Sequence, residues 1–159
     1  MSSIALPKSV TKIKKDGVVF TSNVDRARYT IQELTRAALR DVAKLIRKRA
    51  IAKLKKLPGL SKSRRPARAL EYWLRKQEGD LQIGFGNTKK GKSGDTWYAI
   101  QQELGTHNQP KRGILRDTVF ENIDMIREIQ GKYLSAVENE NRAKRLIDEG
   151  EQINPDGEE

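Results

Sequence analysis

The apolar residues of this chain recur with two different spacings, and each spacing predicts a different kind of element. Steps of three and four residues run from about 24 to 57 and again from 115 to 137, which predicts two long amphipathic helices. Pro58 and Gly59 are expected to end the first helix, because proline lacks an amide hydrogen and glycine permits a left-handed turn. The predicted buried face of the first helix consists of Ile31, Leu34, Ala38, Val42, Leu45 and Ile46. The predicted face of the second consists of Leu115, Val119, Ile123, Ile126, Ile129, Tyr133 and Val137.

The start of the first helix has two candidates. Thr30 and Glu33 have the spacing of a capping box, in which each side chain bonds the other residue's amide. Asn23 is the alternative, because its short polar side chain also suits the position before a helix.

Two segments have the signals of β-hairpins. Asp16 and Gly17 lie between β-branched runs at 10–13 and 18–21, and Asp-Gly favours the tight primed turn of a hairpin. The second predicted hairpin joins a strand near 70–76 to 81–86, where Leu81, Ile83 and Phe85 alternate onto one face. Residues 67–76 alone also fit a helix.

A short helix is predicted over residues 97–104. Asp95 or Thr96 is its candidate cap, and Gly105 is its expected stop. Tyr98, with Ile100 or Leu104, is expected to pack this helix on the sheet.

These elements predict an α+β fold. We expect one small antiparallel sheet, formed by the two hairpins and packed against a long helix in the N-terminal half and a long C-terminal helix. The predicted organisation is an arm and hairpin at 1–22, an α+β domain at 23–140, and an acidic tail at 141–159. The end of that tail, residues 152–157, is expected to order only against a partner. Residues 1–8 form the expected arm, and the polar stretch 87–95 is an expected mobile loop.

Charge is distributed unevenly along the chain, whose net charge is +11. Residues 1–116 carry 27 Lys and Arg against 9 Asp and Glu, whereas residues 117–159 carry 5 against 12. This asymmetry suits a neighbouring nucleic acid, electrostatic docking between copies, or a merely solvated surface. The candidate contacts to DNA or to a protein neighbour are Lys53, Lys55, Lys56, Lys62, Arg64, Arg65, Lys89, Lys90 and Lys92.

The sequence offers little catalytic chemistry. It has no cysteine, which excludes disulfides and thiolate metal sites, and its single histidine is His107. Gly84, Phe85 and Gly86 resemble the start of a dinucleotide-binding fingerprint but lack its third glycine. We therefore expect no enzymatic activity, cofactor or metal; an enzyme using Glu103 and His107 is the remote alternative. Neither a signal peptide nor an apolar run of about 20 residues is evident, so a soluble protein that works without a membrane is expected.

Residues 97–106 and 110–115 resemble the small tail-completion or head–tail joining proteins of long-tailed bacteriophages. Members of this family carry Tyr-Ala, then Glu-aromatic-Gly-Thr, a polar loop, and a Pro-rich stretch that ends in Phe-Leu. The residues that match are Tyr98, Ala99, Glu103, Gly105, Thr106, Pro110 and Leu115. Leu104 stands in place of the aromatic residue, and Gly113 with Ile114 stands in place of Pro-Phe. The wider similarity covers roughly residues 24–140.

The resemblance implies a structural virion protein that forms a ring, expected to be a hexamer, at the neck or the top end of the tail. Its implied partners are further copies of itself, the tail tube, the head–tail connector and, non-specifically, the DNA that passes through the channel. It would assemble in the host cytoplasm. The alternative is a non-specific nucleic-acid-binding protein of phage or host, since basic clusters bind phosphates without reading sequence.

Overall fold

A computed structural model describes residues 11–57, 65–75, 78–86 and 93–152 of the chain. They belong to two compact units, one formed by Met1–Ala38 with Gly131–Glu159 and the other by Leu39–Gln130. Helices and antiparallel strands occur together in the described ranges, which confirms the predicted α+β class. Predictions for the arm 1–8, for Pro58 and Gly59, and for most of the loop 87–95 lie outside the described residues.

The elements follow one another as two strands, two helices, two strands and four helices. The strands are β1 (Thr11–Lys15), β2 (Val18–Ser22), β3 (Leu70–Arg75) and β4 (Asp80–Phe85). The helices are α1 (Val24–Lys56), α2 (Arg65–Ala69), α3 (Ser93–Leu104), α4 (Ile114–Glu121), α5 (Ile123–Leu134) and α6 (Glu140–Gln152).

Helix α1 follows the predicted bounds and most of the predicted face. Its buried apolar residues include Leu34, Ala38, Val42 and Ile46, whereas Ile31 is exposed, contrary to prediction. The helix begins directly after Asn23, whose carbonyl accepts a hydrogen bond from the amide of Ala27. The capping-box alternative is wrong, because Thr30 lies inside the helix and its hydroxyl donates to the carbonyl of Arg26.

The first hairpin confirms the Asp-Gly prediction. β1 and β2 pair antiparallel with Lys15 opposite Val18, so the turn has two residues, Asp16 and Gly17. Their φ angles are 51° and 80°, the positive values that a type I′ turn requires at both central positions.

The second hairpin supplies the apolar core of the second unit. β3 and β4 pair antiparallel, with Leu70 opposite Phe85 and Tyr72 opposite Ile83. Leu70 is fully buried in a cluster that also holds Ala50 and Leu54 of α1 and Ile114 of α4. The helical alternative for β3 is therefore wrong, although the preceding α2 is helical. The expectation of one shared sheet is also wrong, because each hairpin forms a two-stranded sheet of its own.

Gly84 and Gly86 accommodate the indole of Trp73 on the opposite strand. A Cβ atom added at Gly86 would lie 2.6 Å from Cζ2 of Trp73 and 2.6 Å from a carboxylate oxygen of Glu71. At Gly84 the nearest atom of Trp73 would be at 3.7 Å, an ordinary van der Waals distance. The Gly-Phe-Gly sequence thus serves strand packing at this hairpin.

An ion pair joins the two ends of the same hairpin. The guanidinium of Arg75 donates to both carboxylate oxygens of Asp80, at 2.9 and 2.5 Å. This side-chain hydrogen bond lowers the pKa of Asp80 and raises that of Arg75. A lowered carboxyl pKa in the folded state gives stability that is present above the unfolded pKa and is lost as the pH falls through the folded one. Both side chains are exposed, so solvent screens the pair.

The predicted long C-terminal helix is interrupted at Asn122, which separates α4 from α5. Its side-chain amide donates to the carbonyl of Thr118 at 2.7 Å, and its backbone amide bonds the carbonyl of Val119 at 3.1 Å. The backbone bond spans three residues rather than the four of an α-helix, so the turn tightens there. The apolar stripe also ends early, since Val137 lies beyond α5 and is exposed.

Part of the predicted acidic tail is helical. Residues 140–152 form α6, whose residues Ala143, Leu146 and Ile147 are buried at helical spacing. Asn139 caps this helix, because its side-chain oxygen accepts a hydrogen bond from the amide of Arg142 at 3.1 Å. Residues 153–159 lie outside the described ranges, and the domain boundaries at 22 and 140 stay a prediction.

Across the described ranges, no helix has both the length and the apolar composition needed to cross a membrane.

We predict that Gly86→Ala destabilises the second unit more than Gly84→Ala does. The added methyl group at Gly86 collides with the ring of Trp73, and such overpacking costs about 1–3 kcal/mol. At Gly84 the space is sufficient, so that variant is the matched control. Urea denaturation followed by circular dichroism measures both free energies of unfolding. Equal stability of the two variants would contradict the assigned packing of Trp73.

Candidate functional site

The residues that resemble the phage motif meet at one place in the fold, which we call the α3–α4 junction (residues 98–116). The junction contains the last turns of α3, the connecting segment and the first turn of α4. All of these residues belong to the second unit.

Glu103 connects the two helices through its side chain. Its carboxylate accepts hydrogen bonds from the backbone amide of Leu115, at 3.1 and 3.0 Å, and from that of Arg116 at 3.2 Å. These amides belong to the first turn of α4, where helical geometry leaves them without a partner within the helix. The negative charge of Glu103 also interacts favourably with the positive N-terminal end of the α4 dipole. Glu103 therefore acts as a cap supplied by the preceding helix.

The carbonyl groups at the end of α3 are paired as well. The amide of Gly105 bonds the carbonyl of Gln101 at 2.9 Å, that of Arg112 bonds Gln102 at 3.2 Å, and that of Gly113 bonds Glu103 at 3.2 Å. Backbone groups at this helix end thus find partners in the connecting segment, which returns alongside α3.

Two glycines permit this course of the backbone. Gly105 has φ of 81°, which confirms the predicted left-handed stop of α3. A Cβ atom there would lie 2.8 Å from the amide nitrogen of Lys111, so the close approach also needs glycine. Gly113, directly before α4, has φ of 55°. Proline, which the phage family carries at this point, is restricted to negative φ and cannot take this conformation.

Between the glycines the chain makes a tight turn. The backbone of Thr106 exchanges hydrogen bonds with that of Gln109, at 2.9 and 3.2 Å, around His107 and Asn108. The side chain of Gln102, which is buried, donates to the side-chain oxygen of Gln109 at 2.8 Å. The loop predicted at 107–110 is thus part of a hydrogen-bonded turn, in which His107 and Pro110 are exposed.

The inward face of α3 differs from the prediction. Ala99 is fully buried, Tyr98 is half-buried, and the hydroxyl of Thr96 donates to the carbonyl of Gly86 at 2.7 Å. Both predicted caps of α3, Asp95 and Thr96, are therefore wrong, because the helix starts at Ser93 and includes both residues. Ile100 and Leu104 were expected to pack inward; instead they are 36% and 65% exposed.

Within the described ranges, the basic residues predicted to contact DNA or a protein neighbour do not form a single cluster. Lys53 is half-buried and pairs with Glu121 of α4 at 2.5 Å. Lys55 and Lys56 are exposed, and no carboxylate of the described residues pairs with them. Arg65 is the first residue of α2. The remaining members lie outside the described residues: Lys62, Arg64, Lys89, Lys90, Lys92.

The excess of positive charge lies in one of the two units rather than in one cluster. The second unit contains 21 Lys and Arg against 10 Asp and Glu, so its net charge of +11 equals that of the whole chain. The first unit contains 11 of each sign. In the C-terminal part of α1, Lys48, Lys55 and Lys56 are exposed without an ion-pair partner among the described residues.

The described residues contain no group of three His, Asp or Glu side chains placed to hold a metal ion. The carboxylate of Glu103 is occupied by the backbone amides of α4, and His107 lies on the exposed turn. The roles that the junction residues have in this geometry are those of caps, stops and buried contacts.

Comparison of this chain with models of known protein families, with curated proteins and with solved structures found no match. The resemblance to phage tail-completion proteins therefore stays a prediction from the sequence.

Glu103 and Gly105 could be identified from the sequence, whereas the roles of two other residues of the site were missed. Gln102 was missed because a polar residue on a short helix gives no local sign of burial. Gly113 was noted only as a departure from the family pattern, although a glycine directly before a helix is a signal for positive φ. Trp97 is 64% exposed.

We predict that Glu103→Ala lowers the free energy of unfolding by about 0.5–2 kcal/mol, the usual cost of removing a helix cap. Glu103→Gln keeps an acceptor oxygen but loses the charge at the helix end, so a smaller loss of about 0.3–1 kcal/mol is expected. Chemical denaturation followed by circular dichroism measures both. Glu138→Ala, at an exposed position outside the junction, is the control. A Glu103→Ala protein as stable as the wild type would show that the cap contributes nothing.

Proposed function

We propose that this chain is a non-enzymatic structural protein of a tailed bacteriophage. It forms a ring, expected to contain six copies, at the neck or the top end of the tail. There it completes the tail or joins it to the head connector, and DNA passes through the ring. Its location would be the virion, after assembly in the host cytoplasm.

The observation that carries the proposal is that the motif residues come together in one junction with architectural roles. Glu103 caps α4, Gly105 ends α3, and Ala99 is fully buried. A protein whose function lies in assembly needs such rigid supports for its surfaces more than it needs a reactive pocket. The junction supports a large apolar residue, Trp97, that remains exposed.

We predict that a lysate of the phage that encodes this chain, deprived of this protein alone, contains incomplete particles. Electron microscopy should show filled heads beside separate tails, or tails of irregular length, and the titre should fall by orders of magnitude. Expression of the wild-type protein or of Glu138→Ala from a plasmid should restore joined particles. Normal, infectious virions without the protein would overturn the proposed function.

The second candidate function is non-specific binding of nucleic acid. The observation that favours it is the net charge of +11 confined to the second unit, with Lys48, Lys55 and Lys56 exposed and without an ion-pair partner among the described residues. Each neutralised phosphate releases counterions, so such binding weakens steeply with salt.

For this candidate we predict that a variant with Lys48, Lys55 and Lys56 changed to Glu loses affinity for duplex DNA. If three phosphates are contacted, the slope of log K against log salt should become shallower by roughly 3 × 0.9. Changing Arg28, Arg142 and Lys144 to Glu alters the net charge equally but in the first unit, and should leave the slope unchanged. An identical slope for both variants, or no binding by the wild type, would exclude α1 as a DNA-binding surface.

A further inference from the structure

Helices α5 and α6 are separated by a turn at residues 135–139 that contains no helix-breaking residue. Neither glycine nor proline occurs between positions 132 and 149, although these are the residues that usually end a helix. The apolar spacing of the predicted C-terminal helix also continues into the turn, as far as Val137. The local signal for a break is Asn139, which caps α6. The sequence of the turn is therefore compatible with a helix as well.

The backbone of the turn already has hydrogen bonds of a helical kind. The amides of Ala136, Val137 and Asn139 each bond the carbonyl three residues earlier, at 3.1 Å. The amides of Ser135 and Ala143, on either side, bond the carbonyl four residues earlier, at 2.9 Å, as in an α-helix. A short stretch of three-residue hydrogen bonds between helical segments often marks a hinge. A shift of each bond by one carbonyl would join α5 to α6 and leave these amides paired.

The buried side chains keep a helical spacing across the turn. Tyr133 and Ala136 precede the break, Ala143 and Ile147 follow it, and all four are buried. Steps of three, seven and four residues place them on one side of a single α-helix. The turn is therefore not needed to form this apolar side. What the turn determines is the direction in which α6 leaves α5.

Helix α6 is held on its own chain by a small apolar face and an exposed ion pair. Its buried apolar side chains are Ala143, Leu146 and Ile147. Its first residue, Glu140, pairs with Arg26 near the start of α1, and these side chains are 54% and 40% exposed. An ion pair that is so exposed contributes little stability. Release of α6 therefore requires the uncovering of only a small apolar surface.

We propose that residues 135–139 are a hinge through which two copies of this chain exchange α6. In the closed form the turn directs α6 to α1 of its own chain. In the open form the turn becomes helical, and α6 docks beside α1 of the second copy. The second copy is the partner that fits, because its α6 makes the same contacts as the helix that it replaces. This exchange goes beyond the proposed function and does not rest on it.

The exchange also gives a partner to the exposed apolar residues near the hinge. Leu134 and Val137 are 74% and 39% exposed in the closed form. In one continuous helix they are neighbours on its surface, at the point where each chain crosses to the other copy. Two crossing hinges would cover these side chains against one another. The cost of opening is the loss of the Asn139 cap in each chain.

The first experiment measures which chain α6 contacts. The protein has no cysteine, so Arg26→Cys and Glu140→Cys introduce one thiol at each side of the ion pair between α1 and α6. A short bis-maleimide should link the two cysteines within the double variant, which verifies that they lie within reach. The two single variants are then mixed at high concentration and warmed. Exchange should give a linked heterodimer on a denaturing gel, whereas each single variant alone should give no linked dimer.

Variants of the hinge, introduced into both single-cysteine proteins, measure whether straightening of the turn drives the exchange. Asn139→Ala removes the cap of the closed form, which changes the equilibrium by about 2- to 30-fold per chain, so the yield of heterodimer should rise at least about fivefold where it is low. Asn141→Ala is the matched control, because position 141 is exposed and helical in both forms. Glu138→Gly disfavours a helix through the turn and should lower the yield by about threefold per chain.

Two results would overturn the proposal. The first is a mixture that gives no linked heterodimer although the double variant is linked within one chain. The second is an equal yield from Asn139→Ala, Asn141→Ala and Glu138→Gly, because straightening of the turn would then play no part. Both results would leave the phage function standing, whereas normal, infectious virions without the protein would refute that function and leave the exchange untouched.

Discussion

The geometry of the second unit depends on a carboxylate that belongs to one helix and satisfies another. Glu103 lies at the end of α3, and its oxygens accept hydrogen bonds from the first amides of α4. Helix starts always leave amides without partners, and most helices solve this with the residue directly before them. Here that residue is Gly113, which has no side chain to offer. The angle between chain segments at the junction is thus set by a tertiary contact.

The other features of the junction follow from this contact. For Glu103 to reach α4, the chain has to return from the end of α3 within a few residues. The left-handed Gly105 and the hydrogen-bonded turn at 106–109 make this return possible, and the carbonyls of Gln102 and Glu103 bind the returning backbone. The buried side of α3 is then fixed, so its remaining side faces outward.

Elements with strong local signals could be predicted from the sequence. The spacing of apolar residues over 33 positions was sufficient for α1, and Asp16 with Gly17 was sufficient for the first turn, because both signals act within a few residues. The stop of α3 at Gly105 belongs to the same class. These predictions need no knowledge of what the segment contacts.

Features that depend on distant residues could not be predicted in this way. The apolar pattern continues across Asn122, so nothing in its spacing indicates that a buried amide would interrupt the helix there. Helix α6 was not predicted, because its composition is highly charged. Its local signals are the cap Asn139 and the helical spacing of Ala143, Leu146 and Ile147. The predicted buried face of α3 was wrong, because Ala99 is buried and Ile100 is exposed. Large apolar side chains are usually expected inside, whereas Ile100 and Leu104 of α3 are exposed.

The left-handed conformation of Gly113 limits how this chain can diverge or be recombined. Proline has φ fixed near −65°, whereas this backbone has φ of 55°. No side-chain adjustment can reconcile the two values, so proline cannot replace Gly113 unless the backbone around it changes as well. A chimaera with any protein that has proline at this point would have to cross over outside the whole segment from α3 to α4. The junction would be inherited as a single block.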